Sequence, residues 1–346
     1  MSGDIAQRKL DHIAISLEQD VSMRGTATGF DAWRFIPEAL PELRPEDVSL
    51  RTTFLGRELE APLLVSSMTG GPELGATINA NLGRAAQALG LAMGVGSQRI
   101  QFEQPEARAS FQVVRAVAPD VLLIGNVGAV QLNMGFDASR CAEAVAAIGA
   151  DALYLHLNAL QEVVQPGGDT DFRGLLGRIG EVVRAVPFPV LVKEVGCGIA
   201  PGTAARLAAQ GVAAIDVAGA GGTSWSKIEA ARAADPAHRK LGAVFGEWGL
   251  PTADALLGCR AVLPDLPLVA SGGLRTGIDA AKAIALGADM VAFAMPLLGP
   301  ATRSAEEAEA ALRQLLLELR TAMFLLGVPD IPTLRRSRHL LQRVTP

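Results

Sequence analysis

Lys193 lies in an apolar run, residues 190–194, where an uncompensated ammonium is costly to bury. Two interpretations stay open from the residues alone. The lysine could form a structural ion pair with Glu194 or Asp216, or it could face an electron-rich ligand. The second interpretation places Lys193 in a functional site.

A cluster of neutral donors and one carboxylate lies at the end of the apolar run 152–158 and just after it. His156 and Asn158 end that run, and Gln161 and Glu162 come directly after it. Mg²⁺ often binds through a single carboxylate, since it keeps waters and completes its shell with substrate phosphate oxygens. A lone glutamate in a loop is more commonly solvated, so a metal role for Glu162 depends on a phosphate nearby.

Glycine-rich segments supply candidate phosphate sites. Residues 272–277 precede a predicted helix that begins near Asp279, so their N–H groups could hold a phosphate at a helix N-terminus. A tight turn that needs glycine is the structural alternative. The segment 219–225 adds further glycines and the hydroxyls of Thr223 and Ser224.

Basic residues near the start of the chain indicate an anion site only in combination with other polar residues. Arg8, Lys9 and His12 precede the first apolar run, where basic side chains are usually solvated. With Ser97 and Arg99, which follow the run 91–96, they would form an anion site large enough for a diphosphate.

These residues need a scaffold that brings the ends of many strands together. Short apolar runs alternate with amphipathic or alanine-rich segments, a pattern that favours a closed (β/α)8 TIM barrel with its site at the C-terminal ends of the strands. An open doubly wound sheet is less favoured, because no run is followed by GxGxxG. The predicted strands are 61–66, 91–96, 121–126, 152–158, 190–194, 213–218, 268–271 and 290–294, and predicted helices include 79–89, 138–148, 172–186, 203–209 and 279–286.

Two segments lie outside this alternation. Residues 1–60 are predicted to be an N-terminal extension packed on the barrel 61–346, with a hairpin within 48–59 that closes the barrel floor. Residues 225–266 are predicted to be a long loop after strand six, of the kind that forms lids. No internal repeat is apparent. Solvent or another copy is expected to contact the C-terminal arginines Arg335, Arg336, Arg338 and Arg343.

Composition narrows the class of protein. The formal net charge of -5 over 346 residues argues against nucleic acid or a membrane surface as the partner, because both favour a basic protein. Cys141, Cys197 and Cys259 lie outside any CxxC pair, so neither disulfides nor zinc are predicted. The polar first residues and the lack of a long apolar stretch predict a cytoplasmic protein.

Taken in order, several segments resemble successive motifs of the type 2 isopentenyl-diphosphate isomerases. The segment 271–273 is shared with other FMN-binding barrels, whereas the Arg8-Lys9 pair, the segment 156–158 and the Gln161-Glu162 pair are diagnostic. The resemblance extends from about residue 8 to residue 300. The matching segments are 8–12, 68–71, 96–99, 156–162, 192–196, 216–225 and 271–288.

The resemblance implies interconversion of isopentenyl diphosphate and dimethylallyl diphosphate by a 1,3-allylic proton shift. Reduced FMN is expected to act as acid and base, with Gln161 and Lys193 as the catalytic side chains, NADPH as flavin reductant, and Mg²⁺ on Glu162. A homotetramer or homo-octamer is expected. The implied FMN contacts are Ser67, Met68, Thr69, Ser97, Asn126, Lys193, Thr223, Gly273, Leu274, Arg275, Ala294 and Met295. The implied substrate contacts are Arg8, Lys9, His12, Ser97, Gln98, Arg99, His156, Asn158 and Gln161.

Two other functions remain open. An FMN-dependent 2-hydroxy-acid oxidase or dehydrogenase would need a histidine base and a carboxylate-binding arginine after strand six, where this chain has the segment 221–225 without either residue. A non-catalytic flavin-binding barrel would need neither the Gln161-Glu162 pair nor the basic residues near the start. The isomerase interpretation is favoured because it uses all of these features.

Overall fold

A closed barrel of eight parallel strands forms the centre of the protein, so the predicted TIM barrel is confirmed. The structure, a computed structural model, describes residues 2–70 and 73–344, so Gly71 of the segment 68–71 lies outside the described residues. The barrel strands follow one another in sequence order, and the barrel closes where its last strand, β11 Met290–Phe293, pairs with its first, β4 Leu63–Val65. The strands are β1 Trp33–Phe35, β2 Thr52–Phe54, β3 Arg57–Leu59, β4 Leu63–Val65, β5 Ala92–Gly94, β6 Leu123–Gly128, β7 Ala152–His156, β8 Val190–Lys193, β9 Ala214–Asp216, β10 Leu268–Ala270, β11 Met290–Phe293 and β12 Leu341–Arg343.

Helices surround this barrel and cover the apolar outer face of each strand. Asp137 caps the helix at 138–148 by accepting the N–H of Arg140 at 2.9 Å, and Ser224 caps the helix that follows β9. The helices are α1 Ser2–Glu18, α2 Glu73–Leu89, α3 Ile100–Glu103, α4 Ala109–Val117, α5 Ala138–Ile148, α6 Ala159–Val164, α7 Leu175–Ala185, α8 Pro201–Ala208, α9 Trp225–Arg232, α10 Pro236–Val244, α11 Thr252–Val262, α12 Gly277–Ala285, α13 Met295–Arg303, α14 Ala305–Leu325 and α15 Ile331–Arg336.

The barrel interior changes from apolar to polar along its axis. Side chains alternate along each strand, so residues two apart face the same side. Leu191, near the middle of β8, packs in an interior cluster with Phe54 and Leu59 of the β2–β3 hairpin, which lies at the floor. Two residues further along, Lys193 is buried and faces the mouth. The polar site therefore lies at the C-terminal end, opposite the hairpin.

The same arginine clamp occurs twice in the barrel. Arg115 of α4 donates to Asp151 at 2.8 Å, and Arg260 of α11 donates to Asp289 at 2.6 Å. Each arginine also donates to the carbonyl of the glycine two residues before its aspartate, at 2.9 Å in both copies. Each further donates to three carbonyls of the turn after its helix. The two clamps hold equivalent turns at the starts of β7 and β11, which are four strands apart in the barrel.

This duplication is an internal repeat that the sequence analysis missed. Arg-Ala-Val and Pro-Asp recur at 115–120 and 260–265, and Gly-Ala-Asp recurs at 149–151 and 287–289. The parts are differently spaced, because Arg115 lies 36 residues before its aspartate and Arg260 lies 29 before its own. A repeat of fixed period therefore does not appear in the sequence.

Residues 2–60 pack on the barrel at both of its ends. The main chain of Met23 donates to Gly222 at 2.9 Å, and that of Ser224 donates to Val21 at 2.8 Å, so the extension is bonded to the loop after β9. Further along, β1 pairs with β12, which holds the C-terminal segment. Arg335 pairs with Asp289, so one of the arginines predicted to be solvated belongs to a clamp.

The segment after strand six corrects the prediction of a long loop. Residues 225–262 contain three helices, α9, α10 and α11, and α11 is the crossover helix that leads to β10. Helix α1 lies over the barrel mouth, and Trp225 at the start of α9 lines the cavity beside it. None of the helices in 2–70 and 73–344 is long and apolar enough to cross a membrane.

Candidate active site

A cavity opens at the C-terminal mouth of the barrel, under α1. The ends of all eight barrel strands contribute to its wall. Its lining includes every predicted site residue except Gln98: Arg8, Lys9, His12, Ser67, Met68, Thr69, Ser97, Arg99, Asn126, His156, Asn158, Gln161, Glu162, Lys193, Thr223, Gly273, Leu274, Arg275, Ala294 and Met295.

Helix α1 places its basic residues over the mouth because they share one helical face with apolar anchors. Ile5, Lys9, His12, Ile13 and Ser16 all line the cavity, at spacings of three, four and seven residues. Ile5 and Ile13 are buried in the main hydrophobic core. The apolar anchors hold the helix down, and the polar residues between them face the strand ends.

Lys9 is the most deeply placed cation of this helix. Its Nζ donates to the carbonyl oxygen of Ser97 at 3.0 Å and lies 5.4 Å from the ring centroid of Phe111. Burial, with the neighbouring charge of Arg8, lowers the pKa of Lys9 to about 7. An anionic group in the cavity would favour the charged form of this lysine.

Glu229 connects α1 to α6, the short helix after β7 that holds the Gln161-Glu162 pair predicted to lie in a loop, and no pattern in the sequence indicated Glu229. Its carboxylate accepts hydrogen bonds from Nε2 of His12 at 3.0 Å and Nε2 of Gln161 at 3.1 Å, and it pairs with Arg232 at 2.9 Å. Burial acts to raise the pKa of Glu229, but these donors outweigh it and hold the pKa at about 2. Glu229 is therefore an ionised anchor for two predicted site residues.

The position of Glu229 follows from the cap of its helix. Ser224 accepts the N–H of Lys227 and begins α9, so Trp225 and Glu229, four residues apart, share the face toward the cavity. The ring of Trp225 stands edge-on to His12, with centroids 5.0 Å apart. Trp225 therefore adds an apolar wall beside this polar network.

His156 is a neutral group in the barrel mouth. Its Nδ1 donates to Oδ1 of Asn126 at 2.8 Å, because the amide of Asn126 already donates to the carbonyl of Val95 at 3.1 Å. Burial, then the charges of Lys193 and Lys9, lowers the pKa of His156 to about 3. Its Nε2 is left as an acceptor at neutral pH.

Glu162 is held by two donors and keeps lone pairs for a ligand. Its Oε1 accepts from Asn158 and its Oε2 from the N–H of Asp169, each at 2.8 Å. The buried Oδ1 of Asn158 has no hydrogen-bond partner in the part of the chain that the structure describes. That part holds no group of three or more His, Cys, Asp or Glu side chains suited to a metal. The donor set fits a hydrated Mg²⁺ on one carboxylate.

Arg99 is engaged by carboxylates at the rim. It pairs with Asp169 and with Glu103, the latter at 2.8 Å, and Gln131 also donates to Asp169 at 3.1 Å. Asp169, which no sequence pattern indicated, thus links Arg99 to Glu162. Its carboxylate pairs with Arg99, and its main-chain N–H donates to the Glu162 carboxylate. An anionic ligand of Arg99 would compete with Asp169 or share the guanidinium with it.

Gln98 is the one predicted site residue that the structure does not bring to the cavity. It is fully buried, its Nε2 donates to the carbonyl of Ala144 at 2.8 Å, and its Oε1 accepts the N–H of Asn126 at 2.9 Å. Its neighbours Ser97 and Arg99 face the cavity, so Gln98 points to the opposite side. It supports the wall from behind.

Lys193 forms no ion pair with either carboxylate considered in the sequence analysis, within the described parts of the chain. Its Nζ donates to the main-chain carbonyl of Glu194 at 2.5 Å. The Glu194 carboxylate instead accepts three successive N–H groups, of residues 195–197, at 2.5 to 2.7 Å. Burial lowers the pKa of Lys193, while the charges of Asp216 and Glu194 oppose that effect.

Two helix starts, those of α12 and α13, lie at the predicted phosphate site, and they differ in their capping. The start of α12 is already capped, because Thr276 accepts the N–H of Asp279 and the Asp279 carboxylate accepts those of Arg275 and Thr276. Helix α13, in contrast, begins after Ala294 with no side-chain cap. The open N–H groups are thus those of α13, facing the loop 272–274.

Glycine is required in that loop by the approach of other main-chain segments. Gly273 has φ +78°, and a Cβ there would lie 2.5 Å from Thr28 Cγ2 and 2.6 Å from the carbonyl oxygen of Gly221. The extension and the loops after β9 and β10 therefore meet at Gly273.

The rest of the wall suits a large planar ligand with polar edges. The hydroxyl of Ser67 is buried and has no hydrogen-bond partner within the described residues, although it lines the cavity. Met68 and Met295 add apolar surface, and Arg275 lines the cavity together with the start of α13. The Arg275 guanidinium donates to the carbonyl of Leu274 at 3.4 Å and forms no salt bridge among the described residues. An orphaned hydroxyl, an uncapped helix and this guanidinium fit the ring and phosphate of FMN.

The profile of the FMN-dependent dehydrogenase family matches residues 2–117 and 158–342 of this chain. A protein of Synechococcus sp. named isopentenyl-diphosphate delta-isomerase is 53% identical over 332 residues, which cover 96% of this chain and 95% of that one. A protein of Nostoc sp. with the same name is 49% identical, with coverage of 98% and 97%.

Solved structures of more distant proteins share the fold. A lactate oxidase from Pediococcus acidilactici superposes with a TM-score of 0.72 at 18% identity, covering all of this chain and 94% of its own. An (S)-mandelate dehydrogenase superposes with a TM-score of 0.69 at 18% identity, covering 99% of both chains. At this level of identity the likeness shows the barrel fold alone.

Proposed function

This chain belongs to the FMN-dependent dehydrogenase family and, within it, to the isopentenyl-diphosphate delta-isomerases, and from that premise we propose how its residues act. The enzyme interconverts isopentenyl diphosphate and dimethylallyl diphosphate with FMN as its cofactor. The loop after β9 contains no histidine, which is consistent with an isomerase rather than a 2-hydroxy-acid oxidase.

One observation carries the assignment of roles. Helix α1 holds Arg8, Lys9 and His12 against the mouth of the barrel, where Lys9 is bonded to the end of the second barrel strand. A barrel that only binds a flavin has no need for this second basic cluster. The extension 1–60 thus supplies substrate-binding residues to the FMN-binding barrel 61–346.

The diphosphate binds between α1 and the ends of strands β5 and β7. Arg8 and Lys9 supply positive charge, and Ser97 and Asn158 supply neutral donors. His12 and Arg99 lie at the edges of this site, each already held by a carboxylate. His156 accepts through Nε2 in its neutral form, so it can donate to phosphate only after it gains a proton.

FMN binds across the strand ends. Its phosphate would be held by Gly273, Leu274, Arg275, Ala294 and the start of α13, and its ring would be held by residues at the other strand ends, all of which line the cavity. Reduced FMN supplies the acid and base chemistry of the allylic proton shift. The ring contacts are Ser67, Met68, Thr69, Ser97, Asn126, Lys193 and Thr223.

The side chains around the alkene position it and exclude water. Gln161 is held by Glu229, so its amide cannot rotate freely, and Trp225 walls the same region. Lys193 places a cation beside the reduced flavin, where negative charge develops. Gln161 and Lys193 are thus the protein groups that touch reactants, and an amide such as Gln161 orients the alkene rather than acting as base.

Glu162 would hold Mg²⁺, and the ion would supply positive charge for the diphosphate. The two hydrogen bonds to its carboxylate fix its direction, and its position beside Asn158 places the ion next to the substrate's charged end.

Further parts of the proposal concern the reductant, the assembly and the compartment. NADPH reduces the flavin without being consumed in each turnover. The chain assembles as a homotetramer or homo-octamer, a proposal supported by the exposed apolar side chains of Val244 and Trp248. The three cysteines of the described chain are unpaired, which supports a reducing, cytoplasmic location. Sedimentation velocity tests the assembly, with a monomer as the contradicting result.

An anaerobic assay tests the proposal. The FMN-loaded protein is given Mg²⁺ and isopentenyl diphosphate, once with oxidised flavin and once after reduction by NADPH or dithionite. Dimethylallyl diphosphate is expected only with reduced flavin and without net oxidation of the reductant. Tight FMN binding without isomerisation would contradict the proposal, and reduction of the flavin by 2-hydroxy acids would then identify an oxidase.

A further inference from the structure

Asp216 is a buried carboxylate that the roles assigned above do not use. It lies at the end of β9 with no exposed surface. Its Oδ1 accepts from the hydroxyl of Ser271 at 2.6 Å and from the N–H of Ala218 at 3.2 Å, whereas its Oδ2 has no hydrogen-bond donor within the described residues. A carboxylate in such a place requires a compensating charge.

The register of the barrel places that charge on the neighbouring strand. Lys193 of β8 and Asp216 of β9 are direct partners across the parallel pair, so their side chains face the same side of the sheet. Both are buried, and Lys193 lines the cavity. The two opposite charges therefore share the polar end of the barrel interior.

The other ionisable groups around Lys193 do not take this place. Glu194, on the same strand, uses its carboxylate to hold three main-chain N–H groups. On β7, His156 is neutral because its pKa is about 3, and burial raises the pKa of Tyr154 so that the phenol keeps its proton. On α1, Lys9 is a further cation and would disfavour a second positive charge. Asp216 is left as the compensating anion.

We propose that Asp216 is a positioning residue that keeps the Lys193 ammonium charged, so that a cation is present at the cavity wall when the reduced cofactor binds there. The assignment of that cofactor contact rests on the proposed function, but the facing positions of the two opposite charges on β8 and β9 do not. Burial acts against both charges, and each charge supports the other. Removing only one of them should therefore be worse than removing both.

The chain offers a direct measurement, because it contains only five lysines: Lys9, Lys193, Lys227, Lys240 and Lys282. Full-length protein labelled with ¹³C at the lysine ε carbon gives few NMR signals, and Lys193→Met identifies the one that belongs to Lys193. The signal is titrated with oxidised FMN bound and again in the FMN-free chain. In Asp216→Asn the proton affinity of Lys193 should fall roughly tenfold or more.

Two matched variants separate charge from shape. Ser271→Ala removes a hydrogen bond to Asp216 but no charge, and Glu194→Gln neutralises the other nearby carboxylate. Both are expected to move the Lys193 titration less than Asp216→Asn does. An unmoved titration in Asp216→Asn, or an equal shift in Glu194→Gln, would overturn the proposal. Neither outcome depends on isomerase activity.

The midpoint potential of bound FMN gives the second readout. At a pH where Lys193 has lost its proton in the variant, Asp216→Asn should weaken the binding of reduced flavin about tenfold relative to that of oxidised flavin. This change lowers the midpoint potential by ~30 mV for a two-electron couple. In the Lys193→Met background the same change should shift the potential in the opposite direction, because a negative charge is then removed without loss of a cation. Shifts of the same sign in both backgrounds would show a purely structural role.

A thermal double-mutant cycle keeps the test usable if Asp216→Asn folds poorly. The pair Asp216→Asn with Lys193→Met should melt at a higher temperature than Asp216→Asn alone, since no unpaired charge stays buried. Additive losses in melting temperature would contradict the coupling between the charges of Asp216 and Lys193.

Discussion

The Lys9 ammonium is bonded to the carbonyl of Ser97, 88 residues away, and this contact joins the first helix to the end of the second barrel strand. Since the pKa of Lys9 is about 7 in the free protein, about half of the molecules hold this lysine uncharged at neutral pH. A diphosphate favours the charged form. Substrate binding and protonation of Lys9 are therefore linked.

Proton uptake on substrate binding follows from that linkage. At pH 8, binding of isopentenyl diphosphate should take up protons, and affinity should fall as the pH rises above about 7, where free Lys9 loses its charge. Calorimetry in two buffers of different ionisation enthalpy measures the uptake. Lys9→Met should abolish it, whereas Lys240→Met, an exposed control, should not. A binding heat that does not depend on the buffer would contradict the linkage.

Loss of the Gln161 amide should affect turnover more than cofactor binding. Gln161→Ala is expected to lower kcat on the order of 100-fold, because the alkene is no longer positioned, with FMN affinity nearly unchanged. Glu229→Gln should lower kcat in the same direction, since it weakens the anchor of both Gln161 and His12. Steady-state kinetics and FMN titration provide the comparison, and lost FMN binding in Gln161→Ala would refute the positioning role.

His156 should make the FMN-free protein sensitive to mild acid. Its pKa is about 3 when folded, against 6.5 for an unperturbed histidine, so the unfolded chain binds the extra proton between these values. Stability therefore falls as the pH drops below 6.5, by up to about 1.4 kcal/mol per pH unit from this group. Urea unfolding at pH 7.5 and 5.5 should show a smaller acid loss in His156→Gln, while the exposed control His339→Gln keeps the wild-type loss.

Either arginine clamp should contribute more to stability than a surface ion pair. Arg115→Met or Arg260→Met removes a donor from a partly buried aspartate and leaves several carbonyls without the guanidinium, although Arg57 or Arg335 still pairs with that aspartate. The loss should cost about 1–3 kcal/mol. Arg313→Met, which removes an exposed pair with Glu309, should cost less than about 1 kcal/mol. Urea unfolding measures both, and equal losses would show that the clamps act as ordinary surface pairs.

The sequence predicted the barrel because a buried parallel strand has its own pattern, an apolar run followed by a polar residue at the mouth. Lys193 and His156 could be placed in this way, since their strands fix their direction. The resemblance supplied Arg8, Lys9 and His12, whose spacing on one helical face explains their common direction in the structure.

Glu229 could not be found in the same way. It lies in a segment predicted to be a loop, and a glutamate on a helix is usually solvated, so only the tertiary contact with His12 shows that it is buried. Gln98 failed for a local reason, because proximity in sequence to Ser97 and Arg99 says nothing about which way a side chain points. The capping box of α12 could not be seen in the glycine pattern, because it depends on the local geometry of Thr276 and Asp279.

The hydrogen bond between His12 and Glu229 limits how early α1 can dock during synthesis of the chain. Helix α1 leaves the ribosome before the barrel strands, and Glu229 follows His12 by 217 residues, which corresponds to roughly 10 to 45 s at ordinary rates of synthesis. Throughout that interval Ile5 and Ile13 have no completed barrel to cover them. Helix α1 is thus synthesised before the barrel strands but is among the last elements to reach its native place.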